Sequence, residues 1–457
     1  MNNPAVIRTL LLIMGDILLG WVVFYAGIYI RFGELNNGLV QYEPLFPRVS
    51  AFVLVILFWS FFAELYSNDK NYGRKDTFLR IMTAILLSFF TLSALYYLLP
   101  SIGVGRGILA ISLAFFGIFQ TIWRLIYDFC SHLPGIVKRV LVFGTGPIAA
   151  KIGHLIDSTN HQYVLAGYVN CPSDSLSVPE SYIIDSFGEL LDTARKEQIH
   201  KLVISISERR GTMPIREILD CKLGGIDVLD APSFYEQVSG KVLLESIRPS
   251  WFIFSDGFRI TPSKRFLKRV FDIFFSSIGL IISLPFIPLI GLAIRLDSPG
   301  PIFFKQVRRG QGEKIFTLYK FRTMKNDAES ETGAVWAEKD DPRVTKMGRF
   351  LRKSRLDEIP QLLNVLKGDM SFVGPRPERP EFVKKLKEVI PYYHERHTIK
   401  PGVTGWAQIK YSYGASVDDS IEKLRYDLYY IKRFSLFLDL LIILETIKVV
   451  LFGRGGR

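Results

Sequence analysis

Cysteine is scarce in this 457-residue chain, and the short motifs of several large enzyme classes are missing. The three cysteines, Cys130, Cys171 and Cys221, show no C-x-x-C spacing, so the sequence predicts neither a disulfide framework nor a zinc site. Such sparse cysteine usage is typical of a reducing cytoplasm. There is also no P-loop, kinase motif set, H-E-x-x-H or G-x-S-x-G. These absences exclude the commonest nucleotide hydrolases, kinases, metalloproteases and serine hydrolases.

Apolar residues are abundant by contrast, at 49% of the chain with 35 phenylalanines. Four stretches are long enough to cross a bilayer, which takes about 20 residues. They cover about residues 7–30, 49–66, 80–100 and 107–127. The first is too long for the apolar core of a signal peptide, and no small-residue cleavage site follows it. We therefore expect a four-span transmembrane bundle at the N-terminus.

Positive charge is distributed unevenly along the chain. Residues 1–260 hold 22 Lys+Arg and 22 Asp+Glu, whereas residues 261–457 hold 35 and 22, so the whole +13 surplus lies in the second part. A basic surface beside a membrane attracts lipid head groups and phosphorylated substrates. The neighbouring apolar stretches argue against nucleic acid as the partner.

Basic residues in the loops predict the orientation of the bundle. The loop between the second and third stretches carries four of them, whereas the loop between the third and fourth carries only Arg106. The positive-inside rule then places both ends of the bundle, and everything downstream, in the cytoplasm. We expect a multi-pass protein of the bacterial cytoplasmic (inner) membrane. Asp16 and Glu64, within or beside spans, are interpreted as helix-packing or interfacial residues.

Residues 137–260 alternate short β-branched runs with helical patterns, which predicts a Rossmann-like parallel sheet. Strands are expected at 140–143, 163–169, 201–206 and 226–229. The first is followed by Gly144-Thr-Gly-Pro-Ile-Ala149, a dinucleotide fingerprint in form. The second ends in Asn170, where NAD binding would need a carboxylate, and the lone Tyr-x-x-x-Lys, Tyr66/Lys70, lies at a membrane edge. A structural or regulatory domain and a nucleotide-binding domain both remain open.

A fifth apolar stretch, residues 270–294, has basic residues on both flanks and Pro285 and Pro288 in its middle. Each proline removes a helical hydrogen bond and bends the axis. This pattern favours a re-entrant helix that breaks near Ser283-Leu-Pro285 and leaves on the face it entered. The apolar stretch 434–452 is interrupted by Asp439, Glu445 and Lys448, which predicts an interfacial amphipathic helix.

The adjacent carboxylates Asp357 and Glu358 form the most informative pair in the basic C-terminal part. Pro360 is tolerated only in the first turn of a helix, so a helix is expected to begin close to Asp357 and run to Gly368. Neighbouring helical residues point about 100° apart, so the two are not expected to share one proton. They suit separate roles, one as an ionised nucleophile and one as a ligand for a hard cation such as Mg²⁺. Helix capping by Ser354 or Asp357 is the plain structural alternative.

Cations and stiff turns surround that pair in the sequence. Candidate phosphate-binding residues are Lys320, Arg322, Arg343 and Arg376. Arginine binds phosphate oxygens in a bidentate, planar fashion, and phosphoryl transfer depends chiefly on positioning and charge neutralisation. With these cations nearby, catalysis is favoured over helix capping as the role of the carboxylate pair.

Several co-linear motifs in residues 262–457 resemble one known family. The motifs are Ser298-Pro-Gly-Pro-Ile-Phe-Phe-Lys-Gln306, Lys320-Phe-Arg-Thr-Met324, Leu356-Asp-Glu-Ile-Pro-Gln-Leu362, Asp369-Met-Ser-Phe-Val-Gly-Pro-Arg-Pro377 and Lys400-Pro-Gly-Val-Thr-Gly-Trp-Ala-Gln408. They resemble the signatures of the bacterial polyprenyl-phosphate sugar-phosphate transferases, the monotopic phosphoglycosyl transferases. The bundle and Rossmann-like block resemble the large form of that family. Residues 235–241 and 255–258 are similar to its exopolysaccharide-associated subgroup.

This resemblance implies a ping-pong transfer of sugar-1-phosphate from a UDP-sugar to undecaprenyl phosphate, initiating exopolysaccharide or other glycoconjugate assembly. Asp357 would be the nucleophile and carry the phosphosugar, Glu358 would hold Mg²⁺, and Arg376 would help to seat phosphates. The family often has Ser-Pro at the helix break, whereas this chain has Ser283-Leu-Pro285.

The expected protein is therefore a multidomain membrane protein. We predict the four-span bundle in residues 1–130, the α/β Rossmann-like domain in 131–260, and an α+β catalytic domain on the cytoplasmic face in 261–457, with its re-entrant helix at about 266–295. A membrane-bound nucleotide-sugar dehydratase and a non-enzymatic scaffold of a polysaccharide assembly complex are the alternatives. The sequence leaves both a monomer and a homo-oligomer open.

Overall fold

The computed structural model forms two compact units, Met1–Gln237 and Val238–Arg457. It describes residues 4–33, 41–66, 74–131, 137–158, 163–171, 174–184, 189–206, 213–247, 249–255, 257–326, 328, 341–411, 414 and 416–452. Residues 238–260, which we predicted to end the Rossmann-like domain, fall in the second unit because Val242, Leu244 and Ile247 pack in its hydrophobic core. The three-domain division itself stays a prediction.

Four apolar helices open the first unit. They are α1 (Pro4–Phe32), α2 (Leu45–Phe62), α3 (Arg74–Leu98) and α4 (Arg106–Ser131). Each contains a stretch long and apolar enough to cross a membrane, which confirms the four predicted spans. Phe24, Phe52 and Phe116 are fully buried between them, while many other large apolar side chains point outward, as expected for helices facing lipid.

Asp16 joins three parts of the bundle. Its carboxylate is fully buried and accepts hydrogen bonds from the Tyr66 hydroxyl at 2.6 Å, the Gln120 amide at 2.9 Å and the Arg124 guanidinium at 2.7 Å. A buried charge persists only when it is paired and hydrogen-bonded. These contacts support the packing interpretation of this residue.

A five-stranded parallel sheet completes the first unit, in the order β3-β2-β1-β4-β5. Its elements are β1 (Lys138–Phe143), α5 (Pro147–Ser158), β2 (Tyr163–Val169), β3 (Ile183–Ile184), α6 (Leu190–Lys196), β4 (Lys201–Ile204), α7 (Ile215–Leu223), β5 (Asp227–Asp230) and α8 (Ala231–Ser239), of which α8 runs into the second unit. The four predicted strands are confirmed, and the order is that of a Rossmann-like sheet. The sequence did not predict strand β3, because a strand of two residues is too short to show an alternating pattern of apolar side chains.

The glycine turn after β1 is packed against its own chain. Gly144 has a φ of +120°, and a Cβ there would lie 2.9 Å from Oδ2 of Asp174. The backbone N–H of Ser177 donates to the Thr145 carbonyl at 2.8 Å, and Thr145 is buried. A bound pyrophosphate would need close approach to this turn. The packing favours the structural interpretation of the domain.

Two helices at the start of the second unit meet at a bend of 61°. They are α10 (Pro262–Ser283) and α11 (Phe286–Asp297), which follow the short α9 (Pro249–Phe254). Leu284 and Pro285 lie between them with helical backbone angles, and Pro285 lacks the N–H that would continue the hydrogen-bond ladder. The predicted break near Ser283 and Pro285 is confirmed, and the bent pair is consistent with a re-entrant helix.

The remaining elements of the second unit form an α+β arrangement. They are β6 (Phe303–Arg309), β7 (Ile315–Phe321), α12 (Lys346–Lys353), α13 (Gln361–Lys367), β8 (Ser371–Val373), α14 (Pro380–Val389), β9 (Gly402–Thr404), α15 (Trp406–Lys410), α16 (Val417–Lys432) and α17 (Leu436–Phe452). Strands β6 and β7 pair antiparallel, and β8 and β9 pair parallel. Helices α14, α16 and α17 supply half of the buried residues of the hydrophobic core, which lies beside the short β8–β9 pair.

Polar contacts attach α10 to this core. The Lys268 ammonium lies 2.9 Å from Asp272 Oδ1 and 3.1 Å from Asp439 Oδ2, and all three residues are buried. The Tyr430 hydroxyl donates to Asp439 at 2.6 Å. Asp439 therefore points into the protein, whereas the charges of the predicted interfacial amphipathic helix would face water. The sequence pattern of α17 could not show that a lysine on α10 was its partner.

We expect both ends of the α10–α11 pair to face the same side of the membrane. In a variant without native cysteines, Ser263→Cys and Lys305→Cys should both react with an impermeant maleimide from one side of oriented vesicles. Ser101→Cys, between the third and fourth spans, should react from the opposite side. Labelling of Ser263→Cys and Lys305→Cys from opposite sides would show that the pair crosses the bilayer.

Candidate active site

Asp357 and Glu358 lie in a single 3₁₀ turn, Leu356–Glu358, between α12 and α13. Arg355 precedes this turn in a left-handed conformation, with φ at +58°, and Pro360 occupies the N-cap of α13. Helix α13 therefore begins at Gln361, four residues later than we predicted. Ser354 donates instead to carbonyls of α12, and α13 has no side-chain cap, so the capping interpretation was wrong.

The C-terminal end of α13 is held by helix α10, the first arm of the bent pair. The Arg269 guanidinium donates to the carbonyl oxygens of Val365 and Leu366, the latter at 2.7 Å. These carbonyls belong to the last turn of α13, where a cation also complements the helix dipole. The carboxylate turn at one end of α13 is thus positioned by α10 at the other.

Glu358 is buried against cations. Its Oε1 lies 3.1 Å from the Lys320 ammonium of β7, 2.9 Å from Nη2 of Arg376 and 3.9 Å from Nη1 of Arg355. Burial opposes ionisation, but Lys320 and Arg376 hold the pKa of Glu358 well below its usual range. Lys320 is only partly exposed, with 17% of its side-chain surface accessible, and the partial loss of hydration lowers its pKa. Glu358 is therefore an ionised carboxylate throughout the physiological pH range.

Asp357 differs from its neighbour. Burial raises its pKa, the nearby Lys320 ammonium lowers it in part, and the Glu358 charge raises it again. Removal from water is the largest of these effects on the pKa of Asp357. The two carboxylates thus have different electrostatic environments, which supports separate roles.

The Arg376 side chain is held in place by residues that the sequence did not identify. Its Nη1 donates to the Gln408 amide oxygen at 3.0 Å, and its own carbonyl accepts from Arg396 at 3.0 Å. Arg396 in turn lies 2.8 Å from Asp427, which is almost completely buried. Burial raises the pKa of Asp427 to about 6, with Arg396 opposing that rise.

A close backbone contact shapes the Gly374-Pro-Arg376 turn. A Cβ on Gly402 would lie 2.1 Å from the Gly374 nitrogen, so only glycine fits at this crossing. The Gly402 N–H donates to the Pro375 carbonyl at 2.9 Å. The Gly-Pro-Arg and Pro-Gly-Val motifs therefore contact each other through their backbones. This contact fixes the turn from which Arg376 reaches Glu358.

The other two predicted phosphate-binding residues already have protein partners. Arg322 is buried and donates to the carbonyls of Pro299 and Ser298 just beyond α11, the latter at 2.6 Å. Arg343 forms two hydrogen bonds to Asp341, at 2.6 and 2.8 Å, which lower the pKa of that carboxyl to about 2. Their observed contacts hold the chain around the site, and their binding of phosphate stays a prediction.

A cavity of about 600 Å³ contains the carboxylate turn. Its basic lining residues are Arg308, Lys320, Arg322, Lys325, Arg343, Arg352, Arg355, Arg376, Arg379, Arg396 and Lys423, and its acidic ones are Asp357, Glu358, Glu378 and Asp427. Ligand sites usually measure about 300–1,000 Å³. The size and the excess of cations suit a ligand with a diphosphate group.

Among the described residues, no group of three or more His, Cys, Asp or Glu side chains could hold a metal ion. A preformed protein cage for Mg²⁺ is therefore absent from this part of the chain. Mg²⁺ commonly binds through one or two carboxylates together with substrate phosphates and water. Glu358 is the carboxylate that such a mode would use, and Lys320 and Arg376 already contact its Oε1.

Comparison with known proteins gives consistent matches. Residues 263–453 match the family described as bacterial sugar transferase. The chain is 40% identical over 242 residues to the UDP-N-acetylgalactosamine-undecaprenyl-phosphate N-acetylgalactosaminephosphotransferase of Aeromonas hydrophila, covering 53% of this chain and 56% of that protein. It therefore spans little more than half the length of this relative.

Two further relatives match over larger shares of their length. The UDP-glucose:undecaprenyl-phosphate glucose-1-phosphate transferase of Xanthomonas campestris pv. campestris is 32% identical over 349 residues, which is 72% of this chain and 70% of that protein. The exopolysaccharide production protein PSS of Rhizobium leguminosarum bv. phaseoli is 43% identical over 195 residues, which is 41% of this chain and 98% of that protein.

Asp427→Asn should destabilise the second unit, because it leaves the buried Arg396 without an ionised partner. Breaking a buried ion pair costs about 3–5 kcal/mol, and the amide should retain part of one hydrogen bond, so we expect a loss of about 2–4 kcal/mol. The thermal unfolding midpoint in detergent measures the effect. Asp418→Asn, an exposed position on the same helix α16, is the control, and equal midpoints for the two variants would contradict this role.

Proposed function

The chain belongs to the bacterial sugar transferase family, and we propose that it transfers a sugar-1-phosphate from a UDP-sugar to undecaprenyl phosphate. This step would initiate the assembly of an exopolysaccharide or another glycoconjugate. The observation that carries the proposal is the buried Asp357 beside Glu358, Lys320 and Arg376 in a cationic cavity. The names of the relatives supply the donor and acceptor classes.

In the first half-reaction, an Asp357 carboxylate oxygen attacks the sugar-bearing phosphorus of the UDP-sugar. The new bond joins that oxygen to phosphorus, and the phosphoanhydride bond breaks with its electron pair leaving on UMP. Two features of the site support this assignment. A desolvated carboxylate is more basic than one in water, and the adjacent Lys320 favours its ionised form.

In the second half-reaction, a phosphate oxygen of undecaprenyl phosphate attacks the same phosphorus. The Asp357–phosphorus bond breaks, and the carboxylate leaves with the electron pair, which regenerates the enzyme and yields a polyprenyl-diphosphate sugar. Neither step requires a general base, because both nucleophiles are anions. The work of the site is to align the reactants and to neutralise charge on the transferring phosphoryl group.

Lys320 and Arg376 are suited to that neutralisation by their position. Their contacts with the Glu358 carboxylate hold both cations beside the nucleophile. We further propose that Glu358, together with the donor's phosphate oxygens, holds Mg²⁺. The ion would supply additional charge neutralisation at the diphosphate. Glu358 thus keeps the cations of the cavity close to the reacting phosphorus.

We also propose that the second unit works at the cytoplasmic face of the inner membrane. The basic loops of the bundle favour this side, and the bent α10–α11 pair suits a segment that does not cross. Nucleotide sugars are cytoplasmic, so a site there meets its donor directly. The lipid acceptor is available from the same membrane surface.

Asp357→Asn should reduce transfer by at least about 1,000-fold, because the amide has the same shape but is not a nucleophile. Purified protein is incubated with undecaprenyl phosphate and radiolabelled UDP-sugars, and organic-soluble label is counted. Asp418→Asn should remain active. Wild-type protein without acceptor should release UMP and carry a phosphosugar on the peptide containing Asp357.

Full activity of Asp357→Asn, or a phosphosugar on another residue, would refute the covalent assignment. The absence of lipid-linked product with UDP-N-acetylgalactosamine, UDP-glucose and other common donors would favour the scaffold alternative. Consumption of a nucleotide sugar together with bound NAD would favour the dehydratase.

The pH dependence should move in opposite directions in two variants. Activity requires ionised Asp357 and is therefore lost on the acid side of its pKa. Lys320→Gln removes a nearby cation, which raises the pKa of Asp357 and moves the acid limb to higher pH. Glu358→Gln removes a nearby anion and moves the limb to lower pH. Profiles of kcat/KM against pH test this, and shifts in one common direction would contradict it.

A further inference from the structure

One wall of the active-site cavity begins directly after the membrane-associated helix α11. That helix ends at Asp297, and Pro301, Phe303 and Phe304 line the same cavity as Asp357. The two phenylalanines are 45% and 40% exposed, respectively. Large apolar side chains on the wall of a strongly cationic cavity indicate that part of the ligand is apolar.

This stretch stays in contact with the bent helix pair. Ile302 packs in the cluster that contains Ile290 and Ile294 of α11, and a Cβ on Gly291 would lie 3.3 Å from Ile302. Phe303 stacks on Phe321 at 5.3 Å between ring centroids, and Phe321 belongs to the same cluster. The apolar cavity wall is therefore continuous with the second arm of the helix pair.

Strand pairing places Phe304 beside the reaction centre. Phe304 pairs with Lys320 across the antiparallel β6–β7 ladder. Directly opposite residues project from the same face of such a pair, with Cβ atoms about 4.5–5.5 Å apart. Lys320 contacts Glu358, so Phe304 lies one side chain from the carboxylate turn.

Strand β6 changes from an aromatic to a charged residue along the face that lines the cavity. Residues two apart share a face, so Phe304 is followed there by Gln306 and Arg308, and all three line the cavity. The wall is thus aromatic at the end next to α11 and cationic at the other end. This polarity matches an acceptor with an apolar tail on the membrane side and a phosphate directed inward.

The acceptor's tail cannot leave the bilayer cheaply, because exposing each CH₂ group to water costs about 0.8 kcal/mol. Its phosphate must nevertheless reach the phosphorus bound to Asp357. An apolar lining between the bilayer and the reaction centre would keep the start of the tail in apolar surroundings while the phosphate reaches that phosphorus. The exposed Leu289, Leu292 and Leu296 on α11 extend the apolar surface towards lipid.

We propose that Phe304 is the centre of the subsite for the first isoprene units of the lipid-phosphate acceptor, and that Pro301 and Phe303, which line the same cavity, lie along the approach from α11. This inference rests on the proposed function and adds to it the route by which the lipid enters. A donor's uracil or sugar could also stack on an aromatic ring. That occupant is the alternative which the experiment must separate.

The two half-reactions distinguish donor from acceptor binding in full-length protein in lipid nanodiscs. Exchange of radiolabelled UMP into UDP-sugar without acceptor reports the donor half. The value of kcat/KM for undecaprenyl phosphate reports the acceptor half. Phe304→Gln should leave exchange within about twofold and reduce kcat/KM for the acceptor at least about tenfold.

Phe304→Leu, which keeps an apolar side chain, should restore most of the acceptor kcat/KM. Ile315→Gln, an exposed hairpin position that is not among the cavity's lining residues, is the control and should change neither half. Equal losses in both halves would assign Phe304 to the donor site or to folding. Unchanged kinetics of Phe304→Gln in both half-reactions would show that Phe304 is not part of an acceptor subsite.

A photoreactive benzophenone-prenyl phosphate tests the subsite independently of turnover. Crosslinks should map to the peptide containing residues 298–309 and compete with undecaprenyl phosphate but not with UDP-sugar. Crosslinks confined to other peptides would overturn the inference. An inactive wild-type protein that still shows this crosslink would refute the proposed function while supporting the lipid subsite.

Discussion

The contact of buried Glu358 with Lys320 and Arg376 is the interaction on which the site depends. It joins β7, the 3₁₀ turn and the Gly-Pro-Arg turn, which are separated in the chain by tens of residues. Each of these groups would be costly to bury alone, and the pairing offsets that cost only while all three segments stay in place. The cation pair is thereby held beside Asp357 before any substrate binds, which is the preorganisation that phosphoryl transfer exploits.

A second set of contacts joins this site to the first arm of the bent helix pair. Arg269 of α10 binds the carbonyls at the end of α13, while its neighbour Lys268 is buried between Asp272 and Asp439. One face of α10 therefore carries its polar side chains inward, and the opposite face exposes Phe266, Phe274 and Ile281. The position of α10 is thus tied to that of the carboxylate turn through one short helix, α13.

Features encoded by local pattern were predictable from the sequence, and features that depend on distant pairing were not. The four spans, four of the five strands of the parallel sheet, and the break at Ser283 and Pro285 follow from apolar length, β-branched runs and proline. The Arg396–Asp427 support of Arg376 joins residues 31 positions apart, and no periodicity points to it. Arg322 was selected as a phosphate ligand because it is a cation within the Lys320–Met324 motif, yet its contacts are with backbone carbonyls just beyond the end of α11.

The contrast between Asp357 and Glu358 shows why adjacency in sequence does not imply equivalence in chemistry. Both lie in one three-residue turn and both are buried, but Lys320, Arg376 and Arg355 approach Glu358, whose pKa falls. For Asp357 the loss of hydration dominates, and its pKa rises. A carboxylate that strongly holds its charge is a good partner for cations and a poor nucleophile, whereas a less stabilised carboxylate reacts more readily with phosphorus. The two carboxylates therefore differ in electrostatic environment, as the proposed division of roles requires.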